Sequence, residues 1–145
     1  MRVLGIDYGD RKIGLAVSDP LGITAQPLTI YRRKTEKEDA DYFKRLVSEY
    51  EITEVIVGLP LRMDGSSGTR AETTREFARW LEHILVLPVR FWDERLTTKQ
   101  AKQILSQQKL APKAKKDVED QVSAMIILST YLESKGSKSD AGQNC

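Results

Sequence analysis

The sequence predicts an α/β fold: a mixed five-stranded sheet flanked by helices. Three observations predict it. Short apolar runs follow one another closely over residues 3–32, separated by turn-like breaks, as an antiparallel meander requires. After residue 33 the apolar period turns helical and then alternates: helix, strand, helix, strand, helices. Connections that cross through helices make strands one, four and five parallel, because such crossovers are right-handed.

Each element has its own signal. "VLGID" (3–7) is the first strand and "KIGLAVSD" (12–19) the second, joined across the turn-like pair Gly9-Asp10. "ITAQPLTIYR" (23–32) is the third; Pro27 cannot donate to a ladder, which places this strand at an edge. Thr35 and Glu38 form a capping box for a helix carrying Phe43, Leu46, Val47 and Tyr50 at helical spacing. "EVIVGL" (54–59) is the β-branched run of a buried parallel strand. Thr69 and Glu72 make a second capping box, opening a helix marked by Phe77, Trp80, Leu81 and Ile84. "LPVRFW" (87–92) is the fifth strand. Thr97 and Gln100 open a third helix with Ala101, Ile104 and Leu105 on one side, and a last helix runs from about Asp117 to Glu133. Residues 1–133 therefore read as a single domain, and 134–145, "SKGSKSDAGQNC", as a disordered polar tail.

A chain of 145 residues can bury a core without staples. Hydrophobic residues at 40% and charged residues at 30% fit a soluble globular protein. No apolar run approaches the ~20 residues of a membrane span, so no membrane association is expected. "MRVLGID" enters a strand directly, which argues against a signal peptide. The lone cysteine, Cys145, cannot form an internal disulfide, and with a single histidine, His83, it excludes Cys/His zinc sites. A cytoplasmic location is expected. The net charge of +2 says little about partners, but its distribution says more. Residues 95–116 hold Arg95, Lys99, Lys102, Lys109, Lys113, Lys115 and Lys116 and no acid, which reads either as a solvated helix face or as a phosphate-contacting surface.

The acids fall in a pattern. Asp7 closes the first strand, Gly58 the fourth, and Asp93 and Glu94 follow the fifth. In this topology those ends share one rim, and ligands bind beyond the carboxyl ends of parallel strands. Asp7 and Glu94 are thereby neighbours in space. At ~100° per residue, Asp120 falls among Ser123, Ala124, Ile127, Leu128 and Tyr131 on the buried side of the last helix. Asp117 sits at the margin of that side, and Glu119 points to solvent. Taken alone, Asp120 also reads as a residue that caps the helix or favours its dipole. Three acids together demand more. Two carboxylates ~5 Å apart at an effective dielectric of ~20 repel by roughly 3 kcal/mol, so protons or a cation must gather there. Oxygen ligands alone suit Mg²⁺ or Mn²⁺. Two such ions ~4 Å apart activate a water and stabilise a leaving oxygen in phosphodiester hydrolysis.

Several other residues have two readings. Gly5 and Gly9 either let a nucleic-acid backbone approach or simply shape a strand and a turn. Arg11, beside Asp7, is a candidate to hold a phosphate bidentately, or a surface arginine. Arg95 is judged the same way, or as a partner for the acids. Arg62 and Arg70 flank "MDGSSGT", a loop leading into a helix N-terminus where an anion can bind. Lys113, Lys115 and Lys116 precede Asp120 and are placed to clamp a strand. His83 reads as a surface residue near a helix end.

Together, "GIDYGDRKIGLAVSD", "GLPLRMDGSSGTRAE", "WDERLTT" and "DQVSAMIILSTYL" resemble the YqgF family, also called RuvX, over residues 1 to about 133. The resemblance implies an RNase H-like fold, with the five strands in the order 3-2-1-4-5, and a metal-dependent nuclease. The family was first described as a Holliday junction resolvase, and its bacterial members are also assigned to maturing the 5′ end of small-subunit ribosomal RNA. It implies that Asp7, Glu94 and Asp120 are the catalytic, metal-holding acids. One departure stands out: "KKDVEDQVSA" offers three acids where the family usually has one, so Asp117 stays open beside Asp120. The leading expectation is 5′-end processing of precursor 16S rRNA. The alternatives are a resolvase acting on branched DNA and a non-catalytic nucleic-acid-binding transcription or ribosome-assembly factor. "GIDYG" also resembles the first phosphate loop of sugar kinases, but those need two such domains. The partner is nucleic acid, and the pattern is compatible with a monomer or a homodimer.

Overall fold

The computed structural model describes residues 2–60, 68–93 and 121–135. Strands β1 (Arg2–Asp7), β2 (Lys12–Ser18) and β3 (Ala25–Arg32) form the expected antiparallel meander. Helix α1 (Glu36–Tyr50), strand β4 (Ile52–Leu59), helix α2 (Thr69–Leu85) and strand β5 (Val89–Asp93) follow, with β4 parallel to β1 and β5 parallel to β4. The sheet order is β3-β2-β1-β4-β5, as the resemblance implies. A further helix occupies residues 121–135 and so extends past Glu133. The helix expected to open at Thr97, the start of the last helix at Asp117 and the tail beyond residue 135 lie outside the described residues.

Local chemistry explains most boundaries. Pro27 sits on the edge strand, where its missing N–H breaks no ladder, beside a register irregularity between Leu15 and Ala16 of β2. Thr35 caps α1: its hydroxyl accepts from the Glu38 N–H at 3.1 Å. The second capping box does not form. Gly68 is the N-cap of α2 and supplies no side chain, while Thr69 is already helical. A cap needs an extended residue with its side-chain oxygen over the first turn, so Thr69 cannot serve. Glu72 pairs forward with Arg75 at 2.5 Å instead. Strand β4 ends on Leu59 rather than Gly58, and β5 runs on through Asp93.

Helices α1 and α2 cover one face of the sheet, and the 121–135 helix covers the other. The first core joins Leu4, Ile6, Tyr8, Ile13, Leu15, Val55 and Val57 to Phe43, Leu46, Phe77 and Leu81. The second joins Val3, Ala16 and Ile56 to Ala124, Ile127, Leu128 and Leu132. Successive strand residues point to opposite faces, so β1 divides cleanly between the two cores. Among the described residues no helix is long and apolar enough to cross a membrane.

Candidate active site

Asp7 is the last residue of β1 and pairs with Gly14 of β2. Its orientation follows from the strand period. Val3 lies in the core under the 121–135 helix, and a Cβ on Gly5 would come within 2.7 Å of Leu128 Cβ and 3.1 Å of the Ala124 carbonyl. Asp7 is the next residue on that face. Gly5 therefore serves helix packing, which corrects its reading as a gap for a nucleic-acid backbone.

The described part of the helix has a direction. Near its C-terminal end, the Tyr131 hydroxyl donates to the Glu54 carboxylate, and Lys135 Nζ lies 3.6 Å from that carboxylate's other oxygen. Glu54 is level with Val3, near the start of the parallel strands. Ala124 and Leu128 lie over Gly5, so the helix runs antiparallel to β1 and its residue 121 end is directed toward Asp7. Two strand residues from Gly5 to Asp7 span about 6.6 Å, and one helical turn back from Ala124 spans about 5.4 Å. Burial, reinforced by the hydrogen bond and charge of Glu54, pushes the Tyr131 hydroxyl up to about 12. This locks the far end of the helix as a neutral phenol on a carboxylate.

Around Asp7 the chain makes a shallow hollow of about 130 Å³, lined by Tyr8, Gly9, Asp10, Arg11, Lys12 and Arg70 as well. Four residues singled out in the sequence, Asp7, Gly9, Arg11 and Arg70, thus meet at one place. Gly9 has a structural reason to be glycine: a Cβ there would sit 2.4 Å from the Lys12 carbonyl. Arg11 is exposed in the turn, and its carbonyl accepts from the Arg33 N–H at 2.8 Å, tying the end of the meander to the site. Arg70 is exposed in the first turn of α2. Lys12 also lines the hollow, and the sequence reading passed over it. Its signal was the register of β2 against β1, which no local pattern carries.

A larger hollow, about 310 Å³, opens on the opposite face between α1 and α2. It is lined in part by Tyr8, whose side chain points away from that of Asp7. Arg33 lies over the rings of Tyr8 and Phe77, at 5.2 and 5.7 Å from their centroids. It donates to the Tyr8 hydroxyl at 2.6 Å and pairs with buried Asp39 at 3.5 Å. These groups satisfy one another.

Glu94, Asp120, Asp117, Arg62, Arg95, Lys113, Lys115 and Lys116 lie outside the described residues. The two flanking positions are described. Asp93 ends β5 level with Leu59, on the same rim as Asp7. Gln121 opens the described helix. Among the described residues no three His, Cys, Asp or Glu side chains gather closely enough to hold a metal ion. His83 is exposed in the last turn of α2, at the far end of that helix from Arg70.

Residues 1–134 match the model of the RuvX family, described as Holliday junction resolvase. A relative from Halothermothrix orenii, named as a candidate pre-16S rRNA nuclease, is 50% identical over 132 residues, covering 91% of this chain and 94% of its own length. One from Koribacter versatilis with the same name is 44% identical over 135 residues, 93% of this chain and 88% of the relative. Among solved structures, RuvC of T. thermophilus in complex with a Holliday junction substrate superposes with a TM-score of 0.57 at 16% identity, covering 93% of this chain and 96% of that one. The Fowlpox virus resolvase with its Holliday junction DNA gives 0.57 at 14% identity over 92% and 98%. At such low identity these two establish the fold alone, which is RNase H-like. With the match running over nearly the whole described chain, the protein belongs to the RuvX family.

Proposed function

We propose that this chain is a metal-dependent endonuclease of structured nucleic acid, acting in the cytoplasm on the 5′ end of precursor 16S rRNA. Membership of the RuvX family makes it a nuclease. The names of its relatives support the precursor rRNA as substrate. The observation that carries the site is the convergence on one rim of Asp7, the hollow lined by Arg11 and Arg70, the end of β5 and the directed end of the 121–135 helix.

Asp7, Glu94 and Asp120 are the residues that hold the metal in this reading. Glu94 follows the last residue of β5, and Asp120 precedes the first described residue of the helix. Carboxylate oxygens without sulfur or imidazole fit a hard ion, Mg²⁺ or Mn²⁺. When bound, such ions supply an activated water and neutralise charge on the leaving oxygen. The protein's own part is positioning. Asp7 ends a strand that is paired on both sides, which fixes where its backbone presents the carboxylate. Arg11 and Arg70 orient the scissile phosphate by bidentate contact. Gly9 keeps the turn low, and Arg62, Arg95, Lys113, Lys115 and Lys116 extend the contact to flanking phosphates.

Asp7→Asn tests this directly. The expected result is loss of Mg²⁺- or Mn²⁺-dependent cleavage with an unchanged circular dichroism spectrum and melting temperature. Full metal-dependent cleavage by the variant overturns the site. A panel of precursor rRNA, four-way junction and plain duplex sets the substrate. The family's description as a Holliday junction resolvase favours the junction as the second reading, and preference for it over precursor rRNA would establish that reading instead.

A further inference from the structure

We propose that Arg33 is a positioning residue of the cutting site: from the α1/α2 face it clamps both ends of the turn, Tyr8 to Arg11, that builds the Asp7 hollow. This rests on the endonuclease reading and adds a residue that acts through others, since among the described residues Arg33 is no part of that hollow.

The turn joins β1 to β2, and it is so tight that a Cβ on Gly9 would sit 2.4 Å from the Lys12 carbonyl. All four of its residues line the hollow, so the placing of the turn sets the shape of the hollow. Arg33 reaches the turn at both ends. Arg32 is the cross-strand partner of Lys12, and the Arg33 N–H donates to the Arg11 carbonyl at 2.8 Å, which carries the β2–β3 ladder one step into the turn. The Arg33 side chain takes the other end. Its guanidinium lies 5.2 Å from the centroid of the Tyr8 ring, and Nη1 donates to the Tyr8 hydroxyl at 2.6 Å. Asp7 and Tyr8 are successive residues at a strand end, so their side chains leave one stretch of backbone on opposite faces. Holding the Tyr8 ring on one face fixes the backbone that presents the Asp7 carboxylate on the other.

The clamp is itself anchored. Oδ1 of buried Asp39, in the first turn of α1, accepts from the Tyr31 hydroxyl and from the Lys34 N–H. Oδ2 of the same carboxylate accepts from Arg33 Nε at 3.5 Å. Phe77 of α2 supplies a second ring, 5.7 Å from the guanidinium. Two helices and the end of the edge strand thus fix one planar group, and that group fixes the turn. The task suits arginine, whose donors point in set directions from a rigid plane; a lysine ammonium is a point charge on a flexible stem.

The test compares kcat and KM on whichever of precursor rRNA, four-way junction and plain duplex the wild type cleaves, with each variant shown to be folded at the assay temperature. Arg33→Met keeps the stem and loses the planar fork. Its kcat should fall about 10–100-fold, as a displacement of about 1 Å at a reacting group does, while KM stays within about threefold. Tyr8→Phe keeps the ring, loses only the hydroxyl, and should lower kcat about 3–10-fold with a melting temperature near that of the wild type. The double variant should be no slower than Arg33→Met alone, because both changes break the same contact. Phe43→Ala removes packing from the same face and no part of the clamp. It should lower the melting temperature at least as far as Arg33→Met and leave kcat within about twofold. Wild-type kcat in folded Arg33→Met, effects of Arg33→Met and Tyr8→Phe that simply multiply, or an equal kcat loss in Phe43→Ala, each with Asp7→Asn inactive, overturns the positioning role alone. Cleavage by Asp7→Asn, or none by the wild type, overturns the endonuclease reading and this role with it.

Discussion

The sheet face under α1 and α2 and the face under the 121–135 helix solve different problems. The first is aromatic and dense. Tyr8 and Phe77 lie 4.6 Å apart, Phe43 meets Phe77 edge-on at 5.9 Å, and Tyr31 stacks on Tyr42 at 3.9 Å. Asp39, the one buried acid there among the described residues, accepts from the Tyr31 hydroxyl at 2.6 Å, from the Lys34 N–H and from Arg33. The second face is thin. Gly5, Ala16 and Ala124 let helix and sheet approach closely, and the Trp92 Nε1–H is buried without an acceptor among the described residues. That second face ends at Asp7. On the first face the buried carboxylate of Asp39 has three donors. The side that carries Asp7 spends packing quality on bringing a helix end close to a strand end.

This contrast can be broken most severely at Phe43. Phe43→Ala opens a cavity in the aromatic face and should cost about 3–5 kcal/mol in urea unfolding. The folded fraction should keep its kcat, because the change lies on the face away from Asp7. A kcat that collapses in fully folded protein would show the two faces to be coupled. Gly5→Ala is smaller in energy and sharper in meaning. Its Cβ meets Leu128 Cβ at 2.7 Å, so the helix must shift, at about 1–3 kcal/mol. Cleavage should fall by more than that loss of stability explains, since the same helix leads toward Asp7. Activity surviving unchanged would separate the helix from the site. The mildest test is alkaline. Tyr131 has its hydroxyl raised from the ordinary 10.0 to about 12, chiefly by burial and then by Glu54. A raised tyrosine contributes stability that is complete below pH 10 and fades as pH rises toward 12. Tyr131→Phe should therefore flatten the fall of the urea midpoint between pH 10 and 12. Tyr31, raised by burial and by Asp39 on the aromatic face, is the matched control, and Tyr31→Phe should flatten it too. An unchanged alkaline limb in Tyr131→Phe would mean the Glu54 contact does not persist in solution.

Much of the architecture is legible in one dimension because its causes are local. The apolar period separates strands from helices, Pro27 marks the edge strand, and Thr35 with Glu38 starts α1. Asp7, Gly9, Arg11 and Arg70 were each singled out on separate grounds, and only the folded chain brings them to one hollow. Where the reading slipped, a neighbour or a distant contact outweighed the local signal. Gly68 took the cap position ahead of Thr69, and Gly5 answers to Leu128 across the chain.

The order of apolar and polar residues was thus enough to indicate a mixed sheet, which strands run parallel and the strand end that carries Asp7, since those follow from periodicity and handedness. Only the tertiary structure decided that Arg33 is locked on Tyr8 and Phe77 while Arg32 lines up with Lys12 on the face of Asp7. Register and side-chain direction arise from contacts between residues remote in sequence, and adjacent positions with the same charge are sorted to opposite faces only when the strands pair.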